Sequence, residues 1–358
     1  MNHRLATLLD RESATTAATK NLEINLTENI SAISIQMRGT NNTSVPTAVQ
    51  ATMLTKIELV DGSDVLESFT GKELEAMNIN ERGQPLFSER NFIDNNISIV
   101  AVEIPFGRYR YDEQLALDPN KFKNLQLNIT HNKAAGGSVP DAGELSVFAH
   151  VFDEKAISPL GFLSTKEVFD YTLVASAHKY IDLPTDLTIR KLIIQSLYTA
   201  LEPWSNVNKI RLYTDEQKKV IINDVRTSDL IRILAPEDNP YFTETLRISN
   251  STTAYTCYVT PTSDVKMVWA PILGADSGYQ GLASYGGTVT VDCSAATEGD
   301  LIVSGRCPHG AFVIPLGKQR EIEDWFDASK VGSMKLDLTA GGSAAGTVQI
   351  LTQQLRKY

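Results

Sequence analysis

Five histidines, three cysteines and one short acidic run are the residues with which this chain could do chemistry. His3, His131, His150, His178 and His309 are scattered, and none stands at a spacing that lets two imidazoles share a metal ion. Cys307-Pro308-His309 puts a thiol and an imidazole close together, but no third or fourth ligand is evident, and a turn holding a packed cysteine accounts for the run. Glu321, Glu323 and Asp324 precede Trp325. A glycosidase needs such a pair, two carboxyls about 5–10 Å apart across a sugar. The run falls where a helix is expected to begin, and acids gather there for the dipole alone, so it reads as a solvated face. Asp61-Gly62-Ser63-Asp64 has the look of a calcium-loop fragment, yet the rest of an EF-hand is missing and the segment serves as a hairpin turn. Trp204, Trp269 and Trp325 are too dispersed to make a sugar-stacking platform. No glycine-rich nucleotide fingerprint, phosphate loop, nucleophile elbow or zincin motif is present. The sequence therefore assigns no catalytic, cofactor-binding or metal-binding residue.

The elements that would carry any site are mostly strands. Residues 104–130 (IPFGRYRYDEQLALDPNKFKNLQLNIT) read as a strand end, a glycine stop, a short polar helix around 109–117 and a strand in which Leu125, Leu127 and Ile129 alternate with polar residues. The same paragraph returns at 314–339 (IPLGKQREIEDWFDASKVGSMKLDLT), with Met334, Leu336 and Leu338 alternating in turn. Three further units repeat in the same order. A strand pair at 20–39 answers one at 179–197. The hairpin at 56–70 (KIELVDGSDVLESFT), with its Asp-Gly turn, answers 209–224, and each is followed by a helix-prone tail, GKELEAMN or RTSDLIRIL. A closing strand at 143–152 answers 346–355. The spacing between copies jumps after the second hairpin, so the second copy carries an insertion between Leu234 and Phe312, rich in glycine around Tyr279 and Tyr285.

About eight short strands per copy with no βαβ rhythm predict an all-β chain of two tandem antiparallel jelly-roll sandwiches, each with a short helix between strands. The expected division is a 1–20 N-terminal arm, a first jelly roll at 21–157 and a second at 158–358 with the insertion at about 235–311. In the arm, Leu5, Leu8 and Leu9 share a helical face beside Arg4 and Arg11, which predicts an amphipathic segment that docks on a neighbour or a membrane surface.

Composition narrows the function. At 42% hydrophobic and 21% charged, the 358 residues have ordinary globular composition, and the length suits two domains. A net charge of −10 with no Lys/Arg-rich run argues against coating or reading nucleic acid, which needs clustered cations to displace counterions. No apolar run reaches the roughly 18–20 residues that span a bilayer, and residues 1–20 lack the apolar core of a secretory signal. Cys257, Cys293 and Cys307 read as reduced thiols, and the sequons at Asn25, Asn29, Asn128 and Asn250 as chance in a chain made in the cytoplasm.

The hairpin LTKIELVDGSDVLESFTGKELEAMN, the IPFG-led unit, the strand pair DLPTDLTIRKLIIQSL and the tandem duplication together resemble the double jelly-roll major capsid proteins of the tectivirus, corticovirus and adenovirus lineage, tailless icosahedral viruses and phages that often hold an internal membrane. The resemblance covers residues 20–358. It implies a structural protein of the virion and not an enzyme: a homotrimeric, pseudo-hexagonal capsomer, made and assembled in the host cytoplasm. The partners it implies are neighbouring capsomers, minor capsid and vertex (penton) proteins, and an inner viral membrane reached through the arm residues Arg4, Leu5, Leu8, Leu9 and Arg11. It also implies paired helices at 107–118 and 317–330, an outward tower from the insertion, and no cofactor. The competing readings are a carbohydrate-binding or adhesin-type β-sandwich, for which Tyr279 and Tyr285 are the aromatic candidates, and a double jelly-roll glycan amidase or glycosidase, which would need a cleft of acids and aromatics between the domains.

Overall fold

The alternation read at residues 125–129 becomes a strand with every second side chain buried, and the same period builds most of the chain. The computed structural model describes residues 2–41, 46–136, 142–199, 201–235, 237–271, 279–283 and 286–358; side chains at 249–255, 269–271, 279–283 and 292–298 lie outside the description. The first repeat supplies β1 (His3–Ser13), β2 (Ala18–Glu23), β3 (Ile30–Thr40), β4 (Leu54–Asp61), β5 (Asp64–Phe69), helix α1 (Gly71–Arg82), β6 (Arg90–Phe92), β7 (Ile97–Pro105), β8 (Leu125–His131) and β9 (Gly143–Phe152). The second supplies β10 (Gly161–Thr172), β11 (His178–Leu183), β12 (Thr188–Leu197), α2 (Pro203–Asn206), β13 (Val207–Thr214), β14 (Lys219–Arg226) and α3 (Thr227–Leu234). It continues with β15 (Phe242–Tyr258), β16 (Pro261–Pro271), β17 (Tyr279–Ala283), β18 (Thr288–Pro308), β19 (Ala311–Pro315), β20 (Phe326–Asp327), β21 (Met334–Ala340) and β22 (Thr347–Lys357).

One sandwich packs the sheet β1-β9-β3-β7 on β2-β8-β4-β5, and the other packs β10-β22-β12-β19 on β11-β21-β13-β14. The two strand orders are the same order, position for position, and each is that of a jelly roll. One sheet of each sandwich joins the other into a single nine-stranded sheet, because β5 and β10 meet in parallel at Ser68 and Lys166. Crossing the seam changes what a strand must look like. β12 buries every residue from Ile189 to Ser196: Ile189, Leu192 and Ile194 enter the second core, while Ile193 enters the first. A strand covered on both faces loses alternation and reads as a continuous apolar run.

Between α3 and β19 the chain leaves the second sandwich and builds a separate sheet, β16-β18-β15-β6 with β17 beside β18, around its own core of Leu246, Ile248, Val289, Val291, Leu301 and Val303. Its fourth strand, β6, comes from the first sandwich and pairs in parallel with β15 at Leu246–Ile248. Both repeats therefore contribute strands to this sheet.

The helices lie elsewhere than the 109–117 reading placed them. Residues 107–118 and 317–330 form loops; a 3-10 turn follows the first at Pro119–Lys121, and two sit within the second at Ile322–Asp324 and Ala328–Lys330. In the first loop the Asp112 carboxylate accepts the backbone N–H groups of Arg108 and Gln114 as well as the Arg108 guanidinium, and Tyr111 sits at φ 65°. In the second, Asp324 accepts the Lys318 N–H and the Trp325 indole donates to the Lys318 carbonyl. Side-chain oxygens that take backbone N–H groups offer the chain an alternative to a helical ladder. The helices of the two sandwiches are the tails after the hairpins, α1 and α3. Thr70 opens α1 with a capping box, its hydroxyl accepting from Glu73 N–H (3.3 Å) while Glu73 accepts from Thr70 N–H (2.6 Å). Gly83 closes α1 at φ 75°, a left-handed position glycine takes without strain.

Residues 3–13 are likewise not a helical arm. They form β1, an edge strand of the first sandwich paired from His3–Phe152 to Ser13–Glu144 with β9. The register slips between Thr7 and Leu9, and this bulge resets the alternation so that Leu8 and Leu9 both pack on the core. A bulge phase shift mimics the i, i+3, i+4 spacing of a helical face. Among the described residues no helix is long and apolar enough to cross a membrane.

Candidate functional site

The surface with the most buried polar chemistry is the seam between the two sandwiches. α1 runs along it, burying Glu73 through Asn80 even though its sequence, GKELEAMNINER, is polar. Two of these polar side chains, Asn78 and Glu75, are matched by partners from the neighbouring elements. Asn78 pairs with both backbone groups of Glu103 (2.7 Å each) and so extends the β7 edge. Glu75 accepts from Arg90 (2.6 Å) and from His309 Nε2 (2.8 Å), and the Arg90 Nε lies 3.0 Å from Glu244. Glu244 in turn accepts the Thr260 N–H at 2.8 Å. These four side chains are each 5% exposed or less and come from α1, β6, β15 and the β18–β19 turn. They lock the inserted sheet to both sandwiches. Burial opposes the charge on Glu75, but Arg90 and His309 outweigh it and hold its carboxyl below the usual range; burial likewise lowers His309. A buried ion cluster of this kind is stable only while every member is present.

Toward the far end of α1, Glu81 accepts from Arg190 (2.6 Å) and from Lys191. Burial works against its charge, yet the two cations win and hold the carboxyl at about 2. Arg190 also donates to Gln353 (2.7 Å) and the Gln319 carbonyl (3.0 Å), and stacks over Trp325 at 5.7 Å. A cavity of about 590 Å³ opens beside this cluster, lined by Asn80, Glu81, Arg108, Arg190, Lys191 and Arg320 among others. Among the described residues its lining carries no aromatic ring; Glu81 is held ionised between two cations, whereas burial pushes the carboxyl of Asp238, also in the lining, up.

The residues singled out by sequence fall apart in space. Glu321 is exposed and pairs with Lys318 at 3.0 Å, whereas Trp325 is buried under Arg190. Cys307 and His309 bracket a tight turn, at φ 53° and 50°, that returns β18 into β19, and burial pushes the Cys307 thiol up to about 12. His150 meets Ser34 (2.9 Å), and His178 meets Asp337 (3.0 Å). Among the described residues no three His, Cys, Asp or Glu side chains stand together as a metal site. Of the arm residues, Arg4 pairs with Glu28 and lies 3.3 Å from Asp153, Leu5 points to solvent at 56% exposure, Leu8 and Leu9 pack on the core, and Arg11 is exposed. The side chains of Trp269, Tyr279, Tyr285 and Cys293 lie outside the described residues. Sequence reasoning missed the Glu75–Arg90–Glu244–His309 cluster and the Glu81–Arg190–Lys191 cluster. The one visible signal was the Arg190-Lys191 pair set inside an apolar strand.

Two sandwiches of one strand order, fused side by side through a shared sheet, make this chain a double jelly roll. Neither a family model nor a curated protein matches the sequence. Solved structures do match the fold along its whole length. The chain is similar to the major capsid protein of bacteriophage PM2, with a TM-score of 0.58 at 9% identity over 99% of this chain and 98% of that one. It is similar as well to the Sulfolobus turreted icosahedral virus structure (TM-score 0.62, 12% identity, 100% of this chain and 92% of that chain) and to the PBCV-1 virus capsid (0.54, 11%, 99% and 93%).

Proposed function

We propose that this protein is a major capsid protein, three copies of which form a pseudo-hexagonal capsomer that tiles an icosahedral virus shell. The observation that carries the reading is the internal repetition: two sandwiches of identical strand order, held rigidly by buried ion clusters, give one chain two near-equivalent sets of edges. Three such chains present six edges and fill a hexagonal lattice site. Full-length likeness of fold to the PM2 major capsid protein and to the Sulfolobus turreted icosahedral virus and PBCV-1 structures supports the same reading. The role is structural, without catalysis. The net charge of −10 keeps free capsomers apart in solution before assembly and leaves genome packaging to other components.

On this reading the protein is made in the host cytoplasm and resides in the virion. Its partners are neighbouring capsomers, minor capsid and vertex proteins, and an inner membrane where the virus has one. The Arg4, Leu5, Leu8, Leu9 and Arg11 segment contributes to assembly as an edge strand. Electron microscopy of the purified full-length chain tests the proposal: three-fold particles of hexagonal outline that associate side by side into sheets or shells are expected. Single-chain particles that bind or cleave members of a glycan panel would replace it with the carbohydrate reading.

A further inference from the structure

The two copies of the repeated loop, residues 107–118 and 317–330, meet beside the last turn of α1, where the Arg108 guanidinium donates to the Arg320 carbonyl at 2.6 Å. The cavity of about 590 Å³ beside Glu81 opens there, and its size is that of a small-molecule site, roughly 300–1,000 Å³. Arg108, Arg190, Lys191, Lys318 and Arg320 face it, five cations in a chain whose net charge is −10. Of the carboxyls in the lining, Glu81 is matched by Arg190 and Lys191, and burial pushes Asp238 toward its neutral form. The cavity is a cationic pocket in an acidic protein.

Its hydrogen-bonding groups are not all matched. Arg108 gives its N–H groups to Asp112, Gln114 and the Arg320 carbonyl, and Arg190 gives its own to Glu81, Gln353 and the Gln319 carbonyl, so these two supply charge without a free donor. Arg320 differs: among the described residues its guanidinium has no hydrogen bond and no ion pair. The Lys191 ammonium has three N–H groups and gives one to Glu81. Two amides in the lining are also left over. Asn80 is 6% exposed, and neither its Oδ1 nor its Nδ2 has a partner. Gln319 donates from Nε2 to the Arg190 and Gly317 carbonyls, both at 3.0 Å, but its buried Oε1 accepts nothing. Buried polar groups without partners are costly and rare, and a ligand that completes them is one reason they persist.

We propose that this cavity binds a phosphate group, as the free ion or as a small hydroxylated ester, and that the bound phosphate ties Arg320 of the second sandwich to Asn80 of the first. The unmatched groups choose the ligand. Arg320, Lys191 and Asn80 Nδ2 offer N–H donors and positive charge, which call for anionic oxygens. Asn80 Oδ1 and Gln319 Oε1 are acceptors, which call for hydrogens on the same ligand. An ionised carboxylate or a sulfate has the oxygens and no hydrogen. Hydrogen phosphate has both, and so does a phosphate carried on a polyol. The pocket lies inside a single copy, so it neither rests on the capsomer reading nor falls with it.

The test is isothermal titration of the full chain, dialysed free of phosphate and held at constant ionic strength, with inorganic phosphate, ribose 5-phosphate and sulfate. Saturable binding of phosphate at one site per chain is expected, with sulfate about tenfold weaker or worse because it leaves both acceptors unmatched. Ribose 5-phosphate binding more tightly than inorganic phosphate would identify an ester as the ligand, and the reverse order the free ion. Melts at a hundred times the dissociation constant should rise by about 2–5 °C. Arg320→Ala should weaken binding about ten- to a hundredfold and Asn80→Ala about three- to tenfold. Far-ultraviolet circular dichroism of Arg320→Ala should not change, since that side chain is exposed. Lys209→Ala, which removes a β13 cation outside the lining, should bind as the wild type does. No saturable binding up to about 10 mM, sulfate bound as tightly as phosphate, or an affinity indifferent to Arg320→Ala overturns the proposal. Should Asn80→Ala misfold, Arg320→Ala and the sulfate comparison decide.

Discussion

α1 and α3 follow equivalent strands of equivalent sandwiches, yet the polar helix is the buried one. α1 sets Glu73, Glu75, Asn78 and Asn80 inside the molecule, whereas α3, with Leu230, Ile231, Ile233 and Leu234 in eight residues, leaves Ile233 bare. Burial here is decided by the neighbour. The second sandwich covers α1, with His309 meeting Glu75 and with Arg190 and Lys191 meeting Glu81; among the described residues of one chain nothing equivalent covers α3. The difference teaches that equivalent helices of a duplicated fold take their burial from what lies beside them and not from their own polarity.

Changes at the seam should separate these two environments sharply. The largest effect is expected from Arg90→Ala, which strands Glu75 and Glu244 as buried carboxylates without their cation and should cost about 3–5 kcal/mol, read as a lower urea midpoint with an unchanged slope. Next comes the helix pair. Met77→Ala empties a packed site and should cost about 2–5 kcal/mol, while Ile233→Ala, at a side chain exposed within the single copy, should change the stability of the subunit's own fold by no more than about 0.5 kcal/mol. Equal losses would mean the two helices are not in contrasting environments.

Acid should act on the seam before it acts on the flanks. The Glu81 carboxyl is held at about 2 against an ordinary 4.5, so its stabilisation is full above about 4.5 and is lost as pH falls toward 2. Glu81→Gln should flatten that acid limb in thermal melts taken across the range. The smallest effect has the opposite sign. Partial burial, then the Glu73 and Asp170 charges, push Glu167 up to about 7, so its contribution is full below about 4.5 and lost as pH rises through 7. Glu167→Gln should slightly raise the melting temperature at pH 8 and leave it unchanged at pH 4.

The strands and their duplication were legible because alternation and turn residues are local signals. Leu125, Leu127 and Ile129 announce a half-buried strand, and Asp61-Gly62 its hairpin, with Gly62 at φ 62°. The break in repeat spacing expected between Leu234 and Phe312 falls where β15 to β18 form their own sheet. What failed depended on contacts that no window contains. The loop at 107–118 looked helical because the service of Asp112 to two backbone N–H groups is invisible in composition. Residues 3–13 looked like a helical face because a bulge after Thr7 changes phase. The buried clusters were hidden because Glu75, Arg90, Glu244 and His309 lie far apart in sequence and meet only when the inserted sheet borrows β6 from the first sandwich.

The most direct test of the capsid account is the solution mass of the wild-type full-length chain, by light scattering on a sizing column over a dilution series. Three times 39.3 kDa, about 118 kDa, persisting on dilution is the predicted result. A single species of 39.3 kDa at every concentration would contradict it.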